Sequence, residues 1–313
     1  MKIKRTQNRV AESRLTLSAV MVYAIAVWLA GGLLQQQLWP QLVCFLLSTY
    51  LMVVLNNSNA LIRVYSRTIS CSFIILTCAA NFLFSSFAGA FFTLCITAFY
   101  VILFHTYQDK QAVGYTFYAF VCLGLASAAF VKVLWIVPIF WICMFVHLSS
   151  LSWRTLAASI IGLITPYWLF VPIIIYQGQR HVLMAHLAKL ADIQPAIDYS
   201  HLTTPQVLTA LFTALLTITG IVHFWRNSSA DRIRIRQLYG FFTLMTVLSM
   251  VAFFVLPQHF DILLGLLIIN TAPLIGHFVT LTRTRYTNIA FYVICVTALI
   301  LTAINLWMPS LSF

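Results

Sequence analysis

The sequence predicts an all-α fold: a single integral membrane domain over residues 1–313, built as a polytopic transmembrane helix bundle of about eleven spans, N-terminus cytoplasmic and C-terminus outside. Three observations predict it. Of 313 residues, 62% are hydrophobic and 8% charged, with a mean hydropathy of +0.95, whereas soluble proteins are roughly 45–50% apolar and about 25% charged. Apolar runs near the roughly 20 residues that cross a hydrocarbon core recur from end to end. Lysines and arginines collect in alternate connections. These features exclude a soluble globule, a disordered chain and a secreted disulfide scaffold, and 11 glycines with 9 prolines are too few for a collagen-like repeat.

The first span, 15–34, follows a basic stretch. Its apolar run of about 20 residues exceeds the 7 to 15 of a signal-peptide core, so it is expected to remain as a helix. The second is 38–55. The stretch 68–106 as one helix would exceed about 50 Å, far beyond a bilayer. It is expected to fold as a hairpin of spans 68–84 and 90–106, turning near Ser85, Ser86 and Gly89. The same argument divides 113–148 into 113–130 and 133–148, with a tight turn near Lys132. Span seven, 155–176, carries Gly162, Pro166, Tyr167 and Pro172. After the longest connection, 177–204, come 205–225, 238–256, 262–281 and 289–308.

Eleven crossings place Lys2, Lys4, Arg5, Arg9, Arg14, Arg63, Arg67, Lys110, Arg154, Arg226, Arg232, Arg234, Arg236, Arg283 and Arg285 on the side of the N-terminus. Only Lys132, Arg180 and Lys189 fall opposite. A cytoplasmic excess of basic residues sets membrane-protein orientation, so the formal net charge of +12 reports topology. Its expected partners are the lipid bilayer and anionic lipids at the cytoplasmic face. No basic segment is interleaved with aromatics as a nucleic-acid site would be. Trp28, Trp39, Trp135, Trp153, Trp225 and Trp307 lie near span ends, where interfacial anchors sit. All seven cysteines fall inside spans and read as small packing residues.

No connection is long enough for a soluble domain, and there is no Walker motif, dinucleotide-binding glycine pattern or cysteine-based zinc motif. No cofactor is expected. Chemistry must sit in the bundle or on its rims. The connection 177–204 is the most polar segment on the outer side, with Arg180, His181, His186, Lys189, Asp192, Asp198 and His201. Leu183, Leu187, Leu190 and Ala191 recur there at helical spacing, predicting a short amphipathic interfacial helix. His259 and Asp261 join from the turn between spans nine and ten. Acids, bases and imidazoles gathered on one rim are candidates for general acid–base work or for binding sugar or phosphate; a solvated rim is the plainer alternative.

His105, His147, His223 and His277 all lie near the cytoplasmic ends of spans, at one expected depth. Four imidazoles in a layer suit a non-haem metal, as an intramembrane oxygenase would need. The His-x-x-His or His-x-x-x-His spacing that puts two ligands on one helix face is missing, and histidine at a helix C-terminus is favoured by the helix dipole alone. Asn270, Pro273 and His277 in span ten are buried polar and kinking residues, which mark either a binding site or interhelical glue. Asn56, Asn59 and Arg63, at the cytoplasmic end of span two, are candidates for gripping an anionic headgroup, or a helix stop with its positive-inside residues.

The segments NNSNALIRVYSR from Asn56, LSWRTLAASIIGLITPYW from Leu151, DRIRIRQ from Asp231 and NTAPLIGHF from Asn270 resemble, in order over most of the chain, an uncharacterised family of multi-pass inner-membrane proteins from Bacteroidota. The resemblance implies a multi-pass bundle in a bacterial inner membrane. That family has no established activity, so it carries over no functional residue. Some members have carried a carotenoid-oxygenase name, for which the four-histidine layer is the only support here, and it lacks ligand spacing.

Three function classes follow. The first is handling of a lipid-linked glycan or another amphiphile in envelope biogenesis, for which the enlarged polar outer connection speaks. The connection after span one, Gln35, Gln36 and Gln37, lacks the acidic residues of many lipid-linked-sugar glycosyltransferases. The second is secondary transport, with a midplane site around Asn270, Pro273 and Pro166. The third is a noncatalytic membrane scaffold.

Overall fold

A computed structural model describes residues 5–178, 180–191 and 202–307, and among them every regular element is helical. The α-helices are α1 Thr6–Glu12, α2 Thr16–Ala30, α3 Trp39–Asn59, α4 Thr68–Ala79, α5 Phe87–Leu103, α6 Val113–Ala129, α7 Val137–Val146, α8 Trp153–Tyr176, α9 Arg180–Ala191, α10 Thr204–Asn227, α11 Ile233–Val255, α12 Phe260–Leu281 and α13 Arg285–Trp307.

A helix lies in each of the eleven predicted spans, but their lengths differ. Seven are long and apolar enough to cross a membrane: α3, α5 with its 3-10 extension to Thr106, α8, α10, α11, α12 and α13. The number is eight if α1 and α2, bent by 89° at their junction, make one span. The expected span 68–84 consists of the 12 residues of α4 and then, after Ala80, a 3-10 turn over Asn81–Ser85. The expected turn near Lys132 is a 3-10 segment, Val131–Ile136, leading into the 10 residues of α7. Tight turns consume apolar residues that hydropathy counts as helix.

Contacts divide the chain into two compact units, one of Met1–Ala90 with Ile197–Phe313 and the other of Phe91–Ala196. The first is built around α12, whose apolar window is 89% buried against 22–50% for the other six long helices. Two glycines set how closely its neighbours approach. A Cβ on Gly276 would lie 2.8 Å from the Ile69 side chain of α4, and one on Gly220 of α10 would lie 2.8 Å from Leu274 Cβ. Buried hydroxyls and amides tie the same helices: Thr217 to Thr271 at 2.6 Å, Thr68 to Thr280 at 2.6 Å, and Asn270 Nδ2 donating to Ser249 Oγ on α11 at 3.3 Å. Asn305 of α13 donates to the Ala79 carbonyl and Thr209 Oγ1.

These contacts sort the ends of the first unit. At one end Gln7 of α1 donates to the Val279 carbonyl, Ser66 meets Thr280, and Arg63 donates to the Ala230 carbonyl. The arginines of this unit's described residues, at positions 5, 9, 14, 63, 67, 226, 232, 234, 236, 283 and 285, lie in the segments at this end. At the other end are the turn after α4, the start of α10 and the α11–α12 turn. Trp28 is not an interfacial anchor. Its ring is 2% exposed and stacks 3.8 Å from Phe84, while Trp39, Trp153, Trp225 and Trp307 are exposed.

In the second unit α6 and α8 pack through facing glycines: a Cβ on Gly124 would come within 2.7 Å of the Leu163 carbonyl, and one on Gly162 within 2.5 Å of the Phe117 carbonyl. The Tyr167 and Ser127 hydroxyls join the pair at 2.7 Å. Ser152 and Thr155 form a capping box at the start of α8. Lys132 is buried, its Nζ 5.9 Å from the Trp135 ring centroid. The predicted interfacial helix corresponds to α9, which packs on α8 and on the 3-10 turn. Trp168, Leu169 and Tyr176 of α8 are exposed, as side chains facing lipid are.

Candidate functional site

The first unit carries a polar site at each end. At the end away from the N-terminus, three chain turns are held in place locally. Ser86 Oγ accepts the Gly89 amide where α5 begins. Gln206 Oε1 accepts the Thr203 amide in a capping box that opens α10. Leu256 ends α11, and a 3-10 turn over Pro257–His259 reverses the chain into α12, with Asp261 in its first turn, where the helix dipole favours a carboxylate.

These turns enclose a cleft of about 550 Å³ lined by Ser86, Leu202, Gln206, Pro257, Gln258, His259, Phe260, Asp261 and Ile262. Beside it an apolar groove of about 300 Å³ runs along α10, α11 and α12, lined by Val207, Ala210, Leu211, Ala214, Met250, Phe253, Phe254 and Leu267. Leu202 and Phe260 line both. A polar chamber therefore lies against an apolar one, each within the usual range of ligand pockets. Among the described residues lining the cleft there is an acid, an imidazole, two carboxamides and a hydroxyl, and no lysine or arginine.

At the other end, the C-terminal part of α12 carries His277, fully buried. Its Nε2 lies 2.9 Å from Asp231 Oδ2, and its Nδ1 lies 3.4 Å from Nδ1 of His223 on α10. Asp231 sits just before α11, with a side chain 2% exposed. Its other carboxylate oxygen faces Arg63 Nε at 3.9 Å. The Tyr239 ring stands 4.8 Å from the His277 ring, its hydroxyl donating to the Pro273 carbonyl. Arg234 donates to Asn59 Oδ1 at 2.9 Å.

The outer-rim candidates are thus partly brought together. His259 and Asp261 share the cleft. Asp192, Asp198 and His201 lie outside the described residues, as does the side chain of Arg180. His186, on α9 of the second unit, is half-buried, with Nε2 lacking a hydrogen-bond partner. Of the four-histidine layer, His223 and His277 meet in the first unit. His105 is exposed and stacks on Tyr115, and His147 caps α7, both in the second unit. Among the described residues, no group of three or more His, Cys, Asp or Glu is placed to hold a metal ion.

The other candidates are engaged internally. Asn56 Nδ2 donates to the Ser66 carbonyl, Asn59 receives Arg234 and donates to the Leu55 carbonyl, and Arg63 ties the α3–α4 connection to the α10–α11 turn. Asn270 donates to Ser249 Oγ and the Leu266 carbonyl, as interhelical glue does. Sequence reasoning missed Asp231, Gln206, Gln258 and Ser86. Asp231 had one signal, being the lone acid in an arginine-rich turn. Comparison with protein-family models, curated proteins and solved structures finds no match.

Proposed function

We propose that this chain is a multi-pass inner-membrane protein of a bacterium that binds an amphiphile, its head in the cleft around His259 and Asp261 and its hydrocarbon chain in the adjoining groove. The carrying observation is that a polar and an apolar cavity lie side by side, sharing Leu202 and Phe260 in their walls. In this reading the chain crosses eleven times, N-terminus in and C-terminus out. The arginine-bearing end of the first unit is cytoplasmic, and the cleft opens on the outer side.

The lining selects the head. Two carboxamides, a hydroxyl, an imidazole and a carboxylate, with no fixed cation among the described lining residues, suit hydroxyl-rich groups better than a bare phosphate, which prefers arginine or lysine. That favours the sugar of a lipid-linked glycan and a place in envelope biogenesis. Because the surrounding lipid tails are equally apolar, the groove selects a chain by packing rather than by removing it from water.

Binding is tested by retention of a long-chain alkyl glucoside during native mass spectrometry of the purified full chain. Ala214→Trp fills the groove and is expected to abolish retention, and Asp261→Asn with Gln206→Ala to weaken it tenfold or more. Equal retention by all three proteins would reject the site.

A further inference from the structure

We propose that Asp231, His277 and His223 form one proton-binding relay at the arginine-bearing end of the first unit. Its ligand is the proton, which enters at His223 Nε2 and leaves its charge on His277. This inference rests on the buried cluster itself and stands whatever occupies the distant cleft.

The tautomers follow from hydrogen-bond chemistry. An ionised carboxylate only accepts, so His277 Nε2, at 2.9 Å from Asp231 Oδ2, carries a hydrogen and donates it. In a neutral His277 ring Nδ1 is then the acceptor. The ring nitrogen facing it, His223 Nδ1 at 3.4 Å, must be the donor. His223 is left with its lone pair on Nε2, and His223 is the less buried of the two rings, 9% exposed against 0% for His277.

A proton arriving at His223 Nε2 allows the Nδ1 hydrogen of His223 to pass to His277 Nδ1. One N–H bond forms at His223 Nε2, one breaks at His223 Nδ1, and one forms at His277 Nδ1. His223 ends neutral as the Nε2–H tautomer, and the imidazolium rests on His277 against the Asp231 carboxylate. The hydrogen bond between the rings reverses direction. A buried cation beside a buried anion is far cheaper than either alone, so the charge stays on the inner ring.

The surrounding charges are arranged to permit this. Arg63 sits at 3.9 Å from the carboxylate oxygen that His277 does not use, and is itself half exposed. Arg234 of α11 is held on Asn59. Tyr239 of α11 directs its hydroxyl to the Pro273 carbonyl. On the other side of α12, α4 presents the Thr68 hydroxyl to Gly276 and Thr280, and α1 meets α12 through Gln7 and Asn8. A buried ionisable chain of this kind within a bundle is the usual material of intramembrane proton pathways.

The test is nitrogen NMR of the full chain, labelled with ¹⁵N-histidine and held in lipid nanodiscs, from about pH 8 to about pH 4, which spans the ordinary histidine range. At high pH the expected pair is His277 protonated on Nε2 and His223 protonated on Nδ1. On acidification one step should make the His277 ring doubly protonated and convert His223 to its Nε2–H form. Asp231→Asn should remove that step, with the other six imidazole signals unmoved as evidence of an intact fold. Arg63→Gln, an exposed change, should leave the coupled step in place. Independent titration of the two rings, the opposite tautomers, or survival of the step in Asp231→Asn would overturn the relay.

Discussion

Replacing Asp231 with alanine leaves the buried Nε2 of His277 without its carboxylate partner and removes the carboxylate beside Arg63. Breaking one member of a buried charged pair costs about 3–5 kcal/mol, so Asp231→Ala is expected to lower unfolding stability in mild detergent by that order. The same substitution at exposed Asp109 is expected to change it by less than about 0.5 kcal/mol. His186 supplies a pH prediction. Burial pushes its imidazole below the ordinary value, against a hydrogen bond with the Ser127 backbone, and Lys189 adds to the lowering. The unfolded chain therefore takes the proton first, below about pH 6.5. Stabilisation from neutral His186 is complete above that value and is lost as pH falls towards the folded one. Amide exchange of α9, corrected for its intrinsic pH dependence, should show protection declining on acidification, and His186→Leu should flatten the decline. At this scale the sequence marked His277, His259 and Asp261, because polar groups are scarce in an apolar chain. It could not mark Asp231 as the partner of His277, since 46 residues separate them and only the packing of α10, α11 and α12 joins them. Trp28 misled for the converse reason: its place near a span end was legible, and the stacked Phe84 partner was not.

Among the elements, α12 tolerates least change because its faces all meet protein. Gly276→Val would drive a branched side chain into Ile69, whose backbone N and Cα are both 3.0 Å from the ideal Cβ. A cost of about 1–3 kcal/mol is expected from such overpacking, read as a lower melting temperature. Asn270→Ala is a contrasting case. Interhelical hydrogen bonds in membranes average about 0.6 kcal/mol, so the variant should lose roughly that much stability and keep amphiphile retention unchanged. Loss of retention without loss of stability would move the binding site to the midplane and favour transport through Asn270. The positions of the helices were legible because apolar runs are bounded by polar turns. Their lengths were less so: Ala80, Phe82 and Phe84 continue the apolar run past the end of α4, and hydropathy does not register where backbone geometry breaks. The α6–α8 pairing was written in Gly124 and Gly162, but a glycine in a membrane helix signals a close approach without naming its partner.

For the molecule as a whole, charge and hydropathy tell one story in the first unit, where the arginines of the described residues gather at one end and the polar cleft lies at the other. The eleven-crossing reading predicts that alkaline phosphatase fused after Phe313 is active, and that a fusion after Arg285 is inactive. Activity at the second position and none at the first would mean that the bundle is inserted the other way round, and would place the cleft on the cytoplasmic side. The central claim, an amphiphile lodged with its head near Asp261 and its chain along α10 and α11, is tested most directly by photo-crosslinking. A glycolipid bearing a diazirine midway along its chain, incorporated into membranes with the full protein, should label Ala210, Leu211, Ala214 or Met250 preferentially, and Ala214→Trp should erase that label. Labelling spread evenly over outward-facing positions such as Trp168, Leu169 and Val251, unchanged by Ala214→Trp, would contradict it.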